Sequence, residues 1–304
     1  MESREEAQVT QVLKLAQRRD GKLDFLRGAL NFARRKPLGA FGAVVLLVAA
    51  TCALFAPQIA PYGYNQQSLA SKLEGPSLGH IFGTDHLGRD MFSRIVFGAR
   101  VSIVIGMSVI TLKTIIAVLV GGVAGHVGGR YDMILQRFVD AWMSFPSLII
   151  TITMVALFGQ GMWIIIGVLS LSTGMSSSRV VRSAVIAIKE NQYIEGARAI
   201  GATEFRVFFS HIIPNIVPIL IILASATMGT VILAEASPSF LGFGVPPPQP
   251  TWGGLLTGTA ANYMLRNPWL AVWPGVALSL TVYAANMLGD ALRDVLDPRL
   301  RGSR

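Results

Sequence analysis

Residues 193–214 read YIEGARAIGATEFRVFFSHIIP. Apolar residues recur at Ile194, Ala197, Ile200, Gly201, Phe205, Phe208, Phe209 and Ile212. Offsets of three and four predict that they share one face of a helix. Glu195, Arg198, Glu204 and Arg206 fall largely elsewhere. Gly201 sits mid-segment, where glycine costs a helix about 1 kcal/mol. It therefore predicts a bend or a close backbone approach. Pro214 has a fixed φ and no N–H, which suits the first turn of a following helix.

Working outward, the stretch lies between long runs with almost no charge. The 304 residues are 52% hydrophobic and only 14% charged, against about 25% charged in soluble domains. This composition predicts an integral membrane protein. A single cysteine, Cys52, excludes an internal disulfide and any cysteine-based metal site. Histidines 80, 86, 126 and 211 are too scattered to suggest a metal cluster.

Six uncharged or nearly uncharged stretches are each long enough to cross about 30 Å of hydrocarbon. They run over 38–56, 101–124, 140–158, 162–178, 215–234 and 269–289, giving an all-α bundle of six transmembrane helices. Residues 1–37 form a polar tail with nine Lys/Arg and five Asp/Glu, with amphipathic patterning near 9–15 and 23–32. Pro146 predicts a kink inside the third span. The glycine pairs at 121–122 and 128–129 suit close helix packing or turns. Residues 236–268 hold six prolines and five glycines, which excludes a continuous helix and predicts an external loop. Trp252, Trp269 and Trp273 suit an interfacial belt.

Two ionisable groups interrupt this pattern. Lys113 falls within the second span, where a lysine costs roughly 2.5–3.5 kcal/mol on insertion scales. It should face a cavity, a partner subunit or an acid, and the translocation pathway is one such place. Glu235, at the outer end of the fifth span, is the second pathway candidate. With six spans, one side of the bundle collects 20 of the 26 Lys/Arg and the other five, Lys113 being the remainder. This bias places both termini and the 193–214 segment in the cytoplasm. It also explains the net charge of +9 without invoking nucleic acid.

Several signatures now fall into register. Glu195-Gly196-Ala197, then Gly201, then Ile213-Pro214, resembles the EAA loop of ABC importer permeases, departing from it at Gly196 and His211. Gly83-Thr84-Asp85, Gly88-Arg89-Asp90, Ser93-Arg94 and Gly98-Ala99-Arg100 resemble the dipeptide/oligopeptide/nickel branch of that family. So do the Ser-Phe-Leu-Gly-Phe-Gly and Pro-Thr-Trp-Gly pieces of 236–268, and Asp290, Arg293, Asp294, Asp297, Pro298 and Arg299 near the end. The 83–100 motif is read as a salt-bridged external loop without substrate contact in preference to a direct binding site.

The resemblance implies a type I ABC importer permease in a bacterial cytoplasmic membrane. Its parts would be a tail at 1–37, a first span and external loop at 38–100, a core at 101–293 with the coupling loop at 193–214, and a tail at 294–304. Glu195, Gly196, Ala197, Arg198 and Gly201 would dock on a cytoplasmic ATPase, and Pro214 would set the angle to the fifth span. Implied partners are a second permease subunit, two ATP-binding subunits, an extracytoplasmic binding protein and membrane lipid. ATP and Mg would sit on the ATPase subunits, with no cofactor, catalytic residue or metal on this chain. No P-loop, H-E-x-x-H or G-x-S-x-G motif occurs. The expected cargo is a di- or oligopeptide. A nickel or other small-solute importer, and an ATP-independent channel or carrier, are the alternatives.

Overall fold

The computed structural model describes residues 32–296, except the side chains of Thr259 and Leu296. The patterning at 9–15, most of the 1–37 tail, and Asp297, Pro298 and Arg299 lie outside them. The described residues are helical, with one isolated β-bridge between Thr84 and Asp90. Five helices are long and apolar enough to cross a membrane, and a sharply bent pair would make a sixth.

The first, α1 (Pro37–Leu54), starts with Pro37 at a position where the missing N–H costs nothing. Helix α2 (Met91–Val127) is one 37-residue rod, about 55 Å long. It contains a π-helical turn at Val118–Gly122. The second span therefore begins ten residues earlier than expected, because Asp90 caps it: its carboxylate accepts from Ser93 N. Next come α3 (Gly129–Met143) and α4 (Ser147–Phe158), which meet at 83°. Here the expected kinked span is corrected to a break. Pro146 adopts an extended ψ of 130°, so the helix stops and restarts. The amphipathic α3 carries the charges and α4 the apolar run.

Helix α5 (Met162–Lys189) is followed by the short α6 (Gln192–Ala199), then α7 (Glu204–Ala226), α8 (Met228–Phe240) and α11 (Trp269–Leu296). Two short helices, α9 (Trp252–Leu255) and α10 (Thr259–Tyr263), interrupt the connection before α11. The expected fifth span over 215–234 is in fact divided at Thr227, and the helix then continues to Phe240. Trp252 is buried rather than interfacial: its Nε1 donates to Ile95 O at 3.1 Å.

Packing places the ends. Tyr62 N donates to Ser93 Oγ at 3.2 Å, joining the end of α1 to the start of α2. Lys36 Nζ lies 2.5 Å from Asp294 Oδ2, joining the start of α1 to the end of α11. Helix α11 runs unbroken through the expected 293/294 boundary. Two of the four apolar clusters among the described residues mark the ends of the bundle. One gathers Ile95, Ile232, Trp252 and Leu278 near the start of α2. The other gathers Val181, Val185, Ile194, Val207, Phe208 and Ile212 at the far end. Gly121 allows α2 and α5 to touch, since a Cβ there would lie 1.9 Å from Ser178 O. Gly128 and Gly129 instead form a turn, with φ of 74° and 59°.

Candidate functional site

At the far end the chain turns a sharp corner between α6 and α7. The 193–214 stretch is thus two helices and not one, and Gly201 is the reason. Its φ is +88°, a left-handed conformation that glycine adopts without steric cost. Ala202 N donates to Ala197 O at 3.1 Å and Gly201 N to Arg198 O at 2.9 Å. This pair of bonds is the Schellman motif, which satisfies the last carbonyls of a helix. Thr203 then caps α7 by accepting from Arg206 N at 3.3 Å.

Charge holds the corner from outside the turn. Arg198 donates two parallel bonds to Glu204, Nε to Oε1 at 2.8 Å and Nη2 to Oε2 at 3.1 Å. Glu204 Oε2 is also 3.2 Å from His126 Nε2 at the end of α2. Lys189 Nζ donates to His126 O at 2.6 Å. The ends of α2, α5, α6 and α7 are therefore tied into one block.

Two faces follow. Ile194 and Ala197 are buried, Ile194 in one cluster with Val181, Val185 and Phe208. Glu195, Gly196 and Gly201 are exposed, and Arg198 is partly exposed. Added Cβ atoms at Gly196 and Gly201 would meet nothing within 4 Å. An alanine, usual in the EAA pattern, therefore fits at 196. Apolar side chains share this outer surface: Ile200 is 88% exposed, Phe205 is 73% exposed, and Phe209 packs on Phe205 with ring centroids 4.5 Å apart. The shared apolar face expected for 193–212 is in this way divided into inner and outer sets.

Pro214 lies inside the continuous α7, after a π-helical turn at Val207–Ile212. A proline cannot donate to the preceding turn and crowds its carbonyl, which accounts for the widened turn before it. The angle between loop and span is set at Ile200–Thr203.

Lys113 and Glu235 lie elsewhere and apart from each other. Lys113 is 1% exposed. Its ammonium donates to Leu223 O at 3.3 Å and to Thr227 Oγ1. It sits at the C-terminal end of α7, where a cation is favoured, and shares Leu223 O with the Thr227 amide and hydroxyl. Glu235, also 1% exposed, accepts from Ser239 Oγ at 2.9 Å and lies beside Ser102 and Thr251. Neither side chain opens to solvent within this chain.

The 83–94 motif forms a compact polar knot at the opposite end. Asp85 Oδ1 accepts from Leu87 N and Arg89 N at 2.9 and 3.0 Å, and Oδ2 from Arg89 Nε at 2.7 Å. Asp90 accepts from Ser93 N and Oγ, both at 2.7 Å, and meets His80 Nδ1 at 3.0 Å. Ion pairs within the motif hold this loop together. His86 has its pKa held below the ordinary histidine value, first by burial; Asp85 opposes the shift, and Arg89, Arg94 and Lys72 add to it.

The pairing of His126 with the corner was not legible in the sequence, because His126 lies far from Glu204 in the chain. The two ends of the corner were: a glycine followed two residues later by threonine is a stop signal next to a start signal.

Comparison with known proteins agrees with this architecture. Residues 117–302 match the family described as binding-protein-dependent transport system inner membrane component. Residues 25–76 match the N-terminal TM domain of oligopeptide transport permease C. A putative peptide transport system permease protein of Brucella suis biovar 1 is 35% identical over 281 residues, 92% of this chain and 94% of that protein. The dipeptide transport system permease protein DppC of Alkalihalophilus pseudofirmus is 35% identical, covering 90% of each chain. The glutathione transport system permease protein GsiD of Escherichia coli O6:K15:H31 is 37% identical over 88% of this chain and 89% of its own. Among solved structures, an inward-facing MetNI methionine ABC transporter chain superposes with a TM-score of 0.56 at 20% identity, covering 68% of this chain and 98% of that one. That likeness concerns the fold. The chain belongs to the family of binding-protein-dependent transport system inner-membrane components.

Proposed function

We propose that the chain is one of two permease subunits of an ATP-driven importer of di- and oligopeptides. It forms half of the translocation pathway, and the α6–α7 corner is where a cytoplasmic ATPase pushes. One observation carries this reading. The corner is rigidly bonded on its inner side, yet presents Ile200, Phe205 and Phe209 outward. Exposed apolar groups beside charges are costly without a partner, and they mark a contact surface. A block tied to α2, α5 and α7 would move those helices as one body and so switch access across the membrane.

In this reading the termini and corner are cytoplasmic, in keeping with the Lys/Arg bias and with the Lys36–Asp294 contact that brings both ends together. A second permease completes the pathway, two ATPase subunits hold ATP and Mg, and a binding protein delivers solute to the 236–268 end. Relatives named for dipeptide, oligopeptide and glutathione transport support a peptide-like cargo. The test is uptake of a labelled dipeptide by reconstituted complex. ATP-dependent accumulation is expected. Equal uptake without ATP would instead establish a channel or secondary carrier.

A further inference from the structure

Behind the 83–94 knot lies a cavity of about 460 Å³, at the end of the bundle opposite the corner. Its walls include His86, Arg89, Arg94, Gln160 and Gln249, with backbone of 242–258. A water-sized space of about 30 Å³ shares the walls formed by Arg89, Arg94, Gly254 and Thr257.

The charge on these walls does not cancel. Arg89 and Arg94 are each 8% exposed. Between them stands one carboxylate, Asp85, whose Oδ2 is 2.7 Å from Arg89 Nε and 3.9 Å from Arg94 Nε. Its other oxygen is occupied by the Leu87 and Arg89 amides. Asp90 is engaged by Ser93 and His80. Two guanidinium groups therefore share one available acid oxygen. Arg94 Nη1 donates to Tyr64 O at 3.2 Å, and its buried Nε has no hydrogen-bond partner among the described residues. A buried cation with an unused donor is costly until an anion or acceptor arrives.

The rest of the cavity is quiet. Gln160 Nε2 is pinned to Gly242 O at 2.8 Å, the Thr257 hydroxyl donates to Gly254 O at 2.7 Å, and the Ser239 hydroxyl donates to Glu235. Pro247, Pro250, Gly242 and Gly244 supply apolar or bare backbone wall. A forked guanidinium is the side chain best matched to a planar carboxylate. The volume falls within the roughly 300–1,000 Å³ of small-molecule sites. A bare inorganic anion would answer the charge but leave the apolar volume empty.

We infer that this cavity binds the carboxylate of a small peptide-like solute, with Arg89 and Arg94 as its cationic receptors. The peptide part rests on the importer reading; the carboxylate part stands on the arginine pair. Binding here would hold solute at the entrance after delivery, before it meets the pathway.

The test uses the intact purified complex without its binding protein. Equilibrium binding of dialanine, dialanine amide and N-acetylglycine is compared on the wild type, which avoids any folding defect. The two free acids should bind, and the amide at least about tenfold more weakly. Arg94→Lys, which keeps the charge but loses the fork, should weaken the acids several-fold and leave the amide unchanged. Equal binding of acid and amide, or no binding of either, overturns the inference. Docking of the binding protein is measured separately, and a result in which Arg94→Lys weakens only that docking also overturns the inference, since the arginines would then receive an acidic protein side chain. Uptake of dialanine is measured alongside, on reconstituted complex with its binding protein added. No uptake with acid-selective binding retained would sink the importer reading and leave the cavity. Uptake without acid selectivity would do the reverse.

Discussion

The two ends of the bundle treat their signature residues in opposite ways. At the 83–94 end, Thr84, Asp85, Arg89, Asp90, Ser93 and Arg94 are all buried. At the 192–206 end, Glu195, Gly196, Ile200 and Phe205 face outward. Polar residues turned inward must satisfy one another, so they build architecture and line a cavity. Apolar residues turned outward await another surface. Both stretches look alike on the page, being short, charged and rich in glycine. Burial alone separates the one that shapes the chain from the one that meets a partner.

Substitutions at the two ends should therefore fail differently. The largest loss of stability belongs to Asp85→Ala. It leaves two buried guanidinium groups without their acid, and breaking a buried pair costs about 3–5 kcal/mol. Thermal unfolding in detergent should show it plainly. A small shift there would mean that the knot is less buried than its geometry indicates.

Lys113→Met comes next. It removes a charged donor to Leu223 O and Thr227 Oγ1, worth about 1.5–3 kcal/mol, while Leu223 O keeps its bonds from Thr227. Because the ammonium is inside the bundle, stability should fall while solute selectivity of residual uptake stays the same. Altered selectivity would return Lys113 to the translocation pathway.

Gly201→Ala should cost about 1–2 kcal/mol, the penalty for a Cβ in the left-handed region, although the space around it is open. Arg198→Ala should cost least, about 0.2–1 kcal/mol, since Glu204 is largely exposed and its pair is screened. If Arg198→Ala proved as damaging as Asp85→Ala, the contrast between the ends would collapse.

Much of the fold was legible because uncharged runs of this length have few alternatives. What was not legible involves contacts distant in sequence. Pro146 announced a disturbance, but an 83° break and a simple kink share the same local signal. Pro214 does stand in the first turn of the α-helical segment Ile213–Ala226, but the π turn that joins this segment to 204–206 within α7 had no local signal. Lys113 was visible as a cost, while its partners lie 110 and 114 residues away. Gly201 was legible as a bend. Which neighbours turn outward after that bend depends on the second core, and no spacing rule supplies that.

The central claim is that the outward face of the corner receives an ATPase. The most direct measurement is affinity purification of tagged wild type and of Ile200→Asp from mild detergent, with mass spectrometry of what accompanies each. Ile200 touches little within the chain, so the variant should match wild-type stability within about 0.5 kcal/mol. Wild type should bring a second permease and P-loop ATPases, and Ile200→Asp should keep the permease but lose the ATPases. Equal recovery of ATPases with both proteins would contradict it.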